Sequence, residues 1–171
     1  LVGSEMCIRD RGGAIIVDGH LLRGAAGFGG EIGHINVVPG GRPCGCGLRG
    51  CLERYSAGTA LGVHGWELTQ FRPAYAARII ELSGGNPEHI SGKAVTAAAR
   101  EGDPAALECY EQLTHWLGVG LADMCALLDP EVIVIAGGLA EAGDILLTPT
   151  RKAFTANLTA GTYRPAIPVV L

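Results

Sequence analysis

Three stretches of the chain predict an α/β fold. Residues 131–136 (EVIVIA) form a nearly all-apolar run, which in a strand implies burial on both faces and so a partly parallel sheet. The run ends at Gly137-Gly138 and a helical segment comes next over about 144–158, the strand-turn-helix order of an α/β unit. Ahead of it, residues 103–128 carry Leu107, Tyr110, Leu113, Leu117, Leu121, Met124 and Leu128 at three- and four-residue steps, the stripe of a long core helix.

Composition bounds the rest. A chain of 171 residues supports one ordinary core and is marginal for two, so one domain is expected. With 48% hydrophobic and 18% charged residues it can bury that core, and a net charge of -4 argues against a generic nucleic-acid surface. A small neutral or phosphorylated metabolite remains open. No run reaches the roughly 18 apolar residues of a membrane span. Of the six cysteines, three crowd into residues 44–51 while Cys109 and Cys125 sit in the long helix, which reads as reduced thiols and a cytoplasmic setting rather than a disulfide framework. Residues 1–11 (LVGSEMCIRDR), Cys7 included, have neither periodicity nor continuity with the segment from Gly12 onward and read as a non-native or unrelated stretch, which leaves a domain over 12–171. At the other end, residues 165–171 read as a strand being entered, so a continuation is expected on both sides.

In chain order, Gly12-Gly13 and the apolar residues 14–17 lead to an Asp18-Gly19 turn and His20 to Arg23, a hairpin pattern. Residues 24–33 are rich in glycine, as where backbone approaches a ligand closely, although a surface loop is the plainer alternative. Residues 35–38 alternate and predict a short strand. A helical segment over 52–68 is broken near Ser56-Ala57-Gly58, where Ser56 is placed to cap a second helix. Further helices are predicted over 73–82 and 91–100, and the long helix opens with Asp103 as N-cap and Pro104 in its first turn.

The chemistry concentrates in one stretch. His34, Cys44, Cys46 and Cys51 fall within eighteen residues in a spacing that one tetrahedral ion can close. Thiolates and imidazole favour zinc, and a fully protein-ligated set is structural; the alternative is reduced cysteines in a Gly-rich loop. Glu31 and Glu53 bracket the cluster. As plain loop acids they would be solvated, but beside an ion-ordered loop they are held for hydrogen bonding to hydroxyls, and His34 can bind the ion through one ring nitrogen and donate from the other. His20, His64, His89 and His115 read as surface or packed imidazoles. Gly137-Gly138 lets backbone amides close on an anion or a flat ring, or is simply a strand-to-helix turn.

Together Gly12-Gly13-Ala14-Ile15-Ile16-Val17-Asp18-Gly19, Leu22-Arg23-Gly24, Gly30-Glu31-Ile32-Gly33-His34 and Cys44-Gly45-Cys46-Gly47-Leu48-Arg49-Gly50-Cys51-Leu52-Glu53 resemble the signature region of the ROK family (repressors, open reading frames, sugar kinases). The likeness continues through Tyr55-Ser56-Ala57-Gly58 and residues 132–138, and residues 37–42 and Gly143-Asp144 most resemble bacterial glucokinases. The resemblance implies the actin-like ATPase (ribonuclease H-like) fold, this chain being most of the larger C-terminal lobe of a two-lobed sugar kinase truncated at both ends. It implies that His34, Cys44, Cys46 and Cys51 hold structural zinc and that Glu31, His34 and Glu53 contact sugar hydroxyls. Gly137 and Gly138 would lie by the nucleotide, with Gly12 and Gly13 the remnant of a phosphate loop.

ATP with magnesium and a hexose are the implied small-molecule partners, and the full-length protein is expected to be a homo-oligomer. No catalytic residue is assigned within the chain, because the resemblance puts the proton-accepting aspartate in the N-terminal lobe, and Asp10 and Asp18 match no such motif. The expectation is a fragment of an ATP-dependent glucokinase, inactive by itself. The alternative is the ligand-sensing lobe of a sugar-responsive repressor, the one case in which nucleic acid is a partner.

Overall fold

The computed structural model describes residues 12–171; the segment 1–11, with Cys7 and Asp10, lies outside the described residues. A small antiparallel hairpin opens the chain, β1 (Ile16–Val17) pairing with β2 (His20–Leu21). Its turn is the predicted one. Asp18 and Gly19 both take positive φ, 51° and 75°, the left-handed pair that a two-residue hairpin loop requires. A 3-10 turn at Ile32–His34 then leads into an irregular loop, after which the chain is mainly helical.

The helices are α1 (Glu53–Ser56), α2 (Gly58–Phe71), α3 (Ala77–Leu82), α4 (Gly92–Arg100), α5 (Pro104–Leu128) and α6 (Asp144–Asn157). Strand β3 (Ile133–Val134) pairs in parallel with β4 (Val169–Val170), α6 forming the crossover between them. Helix α5 is the axis of the core. Tyr110, Leu113, Leu117 and Leu121 are buried along it, and α1, α2, α4 and α6 all pack on it. Leu61, Ile79, Val95, Leu146 and Phe154 complete the cluster. A fully buried side chain of this kind contributes about 1.5–3 kcal/mol, so the helical layer supplies most of the folding free energy.

Helix starts follow local chemistry. Asp103 accepts the Ala106 amide at 2.8 Å and Ser91 accepts the Ala94 amide at 3.4 Å, satisfying donors of a first turn that have no helical partner. Helix α5 ends where Asp129 turns left-handed at φ 42°.

Three sequence expectations are corrected. Residues 35–38 form no strand, because Val37 and Val38 both donate to the single carbonyl of Gly50 and only Asn36 makes a β-bridge, to Cys51. Ser56 is not the cap of α2: its hydroxyl donates back to the Leu52 carbonyl at 3.0 Å, and Ala57 occupies the cap position without a side-chain bond. The apolar run over 131–136 is parallel-paired as expected, yet it is not covered on both faces, since Val132 and Val134 are 49% and 62% exposed. Only two strands pair there among the described residues, so one face lacks a layer to bury it.

Candidate functional site

The loop between the 3-10 turn and α1 folds back on itself by backbone bonding. The Cys44 amide donates to the Leu48 carbonyl and the Gly47 amide to the Cys44 carbonyl, so residues 44–48 close a tight turn. At its far end the Gly50 amide donates to the Arg42 carbonyl, and Gly50 sits at φ 82° with no room for a side chain against Val38. These bonds bring His34, Cys44, Cys46 and Cys51 together.

Their ligand atoms all lie within 4.8 Å of one another, with Cys44 Sγ 3.6 Å from His34 Nδ1 and Cys46 Sγ 3.6 Å from Cys51 Sγ. Ligands about 2.3 Å from a tetrahedral ion stand about 3.8 Å apart, so the two 3.6 Å pairs match that spacing and the whole set is within about 1 Å of it. Burial pushes the Cys44 thiol well above the ordinary range, with the Glu53 carboxylate adding to the effect, and burial likewise raises Cys51. Cys46 is lowered, first by the Leu48 amide. Two buried sulfurs, one exposed sulfur and an imidazole converge on one point, a donor set that could hold a metal ion.

The acids flank this cluster as expected. His34 Nε2 lies 3.9 Å from Glu31 Oε2, while His34 Nδ1 lies 4.0 Å from Glu53 Oε1. With Nδ1 turned to the cluster, Nε2 is left on the Glu31 side as a donor. Glu53, only 5% exposed, places Oε1 2.8 Å from Cys44 Sγ. It opens α1, where a carboxylate also complements the helix N-terminus.

Of the glycines, Gly13 packs against Ile32 and the Gly30 carbonyl, which sets Gly12-Gly13 beside the loop carrying Glu31. Gly137, at φ 90°, and Gly138 are open on the side where a Cβ would stand. Their turn is braced by Ala140 donating to the Gly137 carbonyl and by Arg100 donating to the Glu141 carbonyl at 2.8 Å.

One feature was not found from the sequence. Arg42 stacks over the Tyr55 ring at 5.0 Å, its backbone amide donates to the Tyr55 hydroxyl at 2.7 Å, and its guanidinium donates to the Arg54 carbonyl and to Glu67. Buried His64 completes the clamp, its Nε2 donating to the Tyr55 carbonyl at 3.1 Å. The clamp ties the cysteine loop to α1 and α2 and so fixes Glu53. It also forms one wall of a cleft of about 460 Å³ that none of the sequence-predicted site residues lines. The partners lie 9 to 25 residues apart, which leaves no local signal to read.

Burial lowers His64 below its ordinary value of 6.5, opposed by the Tyr55 carbonyl; Arg42 adds to the lowering and Glu67 counters it. The folded state thus binds fewer protons than the unfolded state below about pH 6.5, so the His64 contribution is intact above that value and is lost as pH falls through the lower folded value. Urea melts from pH 8 to 5 should show a shallower acid loss of stability for His64→Gln than for the unmodified chain; parallel curves would remove His64 from the clamp.

Comparison with known proteins is decisive for the family. Residues 9–170 match the ROK family. The chain belongs to the ROK family. It is 41% identical over 159 residues to the glucokinase of Streptomyces coelicolor, covering 93% of this chain and 50% of that protein. The crystal structure of a ROK glucokinase from Streptomyces griseus in complex with glucose and AMPPNP superposes with a TM-score of 0.88 at 41% identity, covering 92% of this chain and 51% of that one. The fold is therefore that of ROK glucokinases, the actin-like ATPase fold. The N-acetylglucosamine repressor of Escherichia coli O6:H1 is 35% identical, covering 88% of this chain and 37% of the repressor. This ROK chain spans about half the length of the curated relatives it matches.

Proposed function

We propose that the protein containing this chain is an ATP-dependent hexose kinase of glucokinase type. The observation that carries the proposal is the placement of Glu31, His34 and Glu53 around one cysteine-histidine cluster, in a chain 41% identical to a glucokinase. In this reading His34, Cys44, Cys46 and Cys51 hold zinc, which supplies fixed loop geometry and no chemistry of its own. Glu31 and Glu53 accept hydrogen bonds from sugar hydroxyls, and His34 Nε2 donates to one.

In the reaction the 6-hydroxyl oxygen attacks the γ-phosphorus of ATP, the bond to the β-phosphate oxygen breaks, and ADP leaves; magnesium on the nucleotide neutralises charge on the phosphates. The hydroxyl proton passes to a carboxylate that the family resemblance places outside residues 12–171. These residues therefore contribute positioning, one of the larger components of a two-substrate reaction. Gly137-Gly138 is the proposed nucleotide-side turn and Gly12-Gly13 the proposed remnant of a phosphate loop.

Purified parent protein should phosphorylate glucose at the expense of ATP, and Glu31→Gln should raise the KM for glucose about tenfold, the loss of one charge-assisted hydrogen bond. The KM for ATP should stay within a factor of two or so of the unmodified value. The 171-residue chain alone should give no turnover. A parent protein that binds glucose, ignores ATP and binds DNA would favour the second reading, a sugar-responsive repressor, which the 35% identity to the N-acetylglucosamine repressor supports.

A further inference from the structure

The free cysteines among the described residues differ in access. Cys109 and Cys125 are buried in α5, Cys44 and Cys51 are buried in the cluster, and Cys46 is exposed at the tip of the 44–48 turn. An oxidant arriving from solvent meets the Cys46 sulfur first. The Cys51 sulfur stands 3.6 Å from it. Cys44 is a poor partner for two reasons. Only one residue separates it from Cys46, which strains a bridge between them, and the Glu53 carboxylate already occupies its sulfur at 2.8 Å. Cys51 is held by the Asn36 bridge and by the Arg54 amide, which donates to its carbonyl just ahead of α1, whereas the Cys46 side of the pair is a surface turn that can close the remaining distance.

We propose that Cys46 is a peroxide-reactive modification site with Cys51 as its resolving partner, so that oxidation closes a Cys46–Cys51 disulfide and dismantles the metal cluster. The Cys46 sulfur attacks one peroxide oxygen; an S–O bond forms, the O–O bond breaks, and the departing hydroxide takes a proton to become water. The Cys51 sulfur then displaces the oxygen from the resulting sulfenic acid, an S–S bond forms, and that oxygen leaves with a proton as a second water. Two thiolates lose two electrons, and one peroxide with two protons becomes two waters. The cluster keeps only His34 and Cys44, too few ligands to hold an ion. His34 then loses the fixed orientation that aims Nε2 toward Glu31, so sugar affinity falls in the oxidised protein and returns on reduction and reloading. This last consequence rests on the proposed zinc and sugar roles; the bridge itself does not depend on the sugar.

The test is hydrogen peroxide added to the zinc-loaded full chain, with released zinc read by a chromophoric chelator and thiols mapped by alkylation and peptide mass spectrometry. Cleavage after Arg49 separates Cys51 from Cys44 and Cys46, and fragmentation at Gly45 distinguishes those two. One Cys46–Cys51 bridge per zinc released is expected, with Cys44, Cys109 and Cys125 still alkylated, and a dithiol with added zinc should reverse both changes. Cys46→His, which keeps a nitrogen ligand without an oxidisable sulfur, should release zinc at least tenfold more slowly. The proposal is overturned by a chain that takes up no zinc, by a first bridge through Cys44, by over-oxidised Cys46 with zinc retained, or by wild-type release from the histidine variant. Glucose titration of the reduced parent protein is read separately. Bridge formation with zinc release supports the site even if no glucose binds, a result that counts against the proposed function alone.

Discussion

Stripping the proposed zinc from the chain with a strong chelator at neutral pH is expected to lower the melting temperature by about 10 °C while leaving the helical circular dichroism nearly unchanged. The size comes from linkage. A site filled at about a thousandfold above its dissociation constant adds about 4 kcal/mol, and each kcal/mol is worth about 2–4 °C in a domain of this length. The selectivity comes from what else holds the loop. Residues 36–51 have a handful of backbone bonds to Gly50, Val38, Cys44 and Leu48, and Leu48, a large apolar side chain of the loop, is 63% exposed. Among the described residues no apolar core underlies it comparable to the Tyr110, Leu113, Leu117 and Leu146 cluster, which should stay intact when the proposed metal is removed. Hydrogen exchange should therefore rise in residues 34–53 and not in α5. A chelated chain with the same melting temperature and the same protection at Cys44 to Cys51 would show that the cysteines are an ordinary reduced loop.

What the sequence made legible was local. The stripe of α5, the Asp103 cap, the Asp18-Gly19 turn and the clustering of His34 with three cysteines all depend on residues within a few turns of one another, and the structure has them where periodicity and spacing put them. The failures are equally physical. Alternation over 35–38 could not reveal that Val37 and Val38 share one acceptor, a matter of how the chain returns at Gly50. Ser56 looked like a cap by type, but its hydroxyl had an acceptor one turn back. The clamp of Arg42, Tyr55, His64 and Glu67 is a tertiary arrangement, and a lone histidine in a helix gave no reason to expect it. Gly118 and Gly120 were also silent, since a glycine inside a helical pattern registers only as lost propensity.

At the first of those glycines, Gly118→Ala should destabilise the chain by about 3 kcal/mol, where the same change on an open helix face would stabilise it by about 1 kcal/mol. A Cβ at Gly118 would stand 2.6 Å from the backbone nitrogen of Phe154 and 2.5 Å from the Ala153 Cβ, so α6 itself must move. At Gly120, on the opposite face, a Cβ would meet the end of the Leu52 side chain at 2.6 Å, which can shift at smaller cost. Helix α5 is thus gripped from two sides. On one side α6 leads back through Gly143 to the Gly137-Gly138 turn; on the other Leu52 leads into Glu53. If the parent protein is the proposed kinase, Gly118→Ala should mainly raise the KM for ATP and Gly120→Ala the KM for glucose, each by severalfold, because each variant would displace the element behind one proposed ligand site. Urea midpoints with unchanged slopes give the stability term, and the two KM values give the positioning term. A Gly118→Ala chain as stable as the original would mean that α5 and α6 do not meet backbone to backbone, and equal effects of the two variants on both substrates would mean that α5 does not separate the sugar side from the nucleotide side.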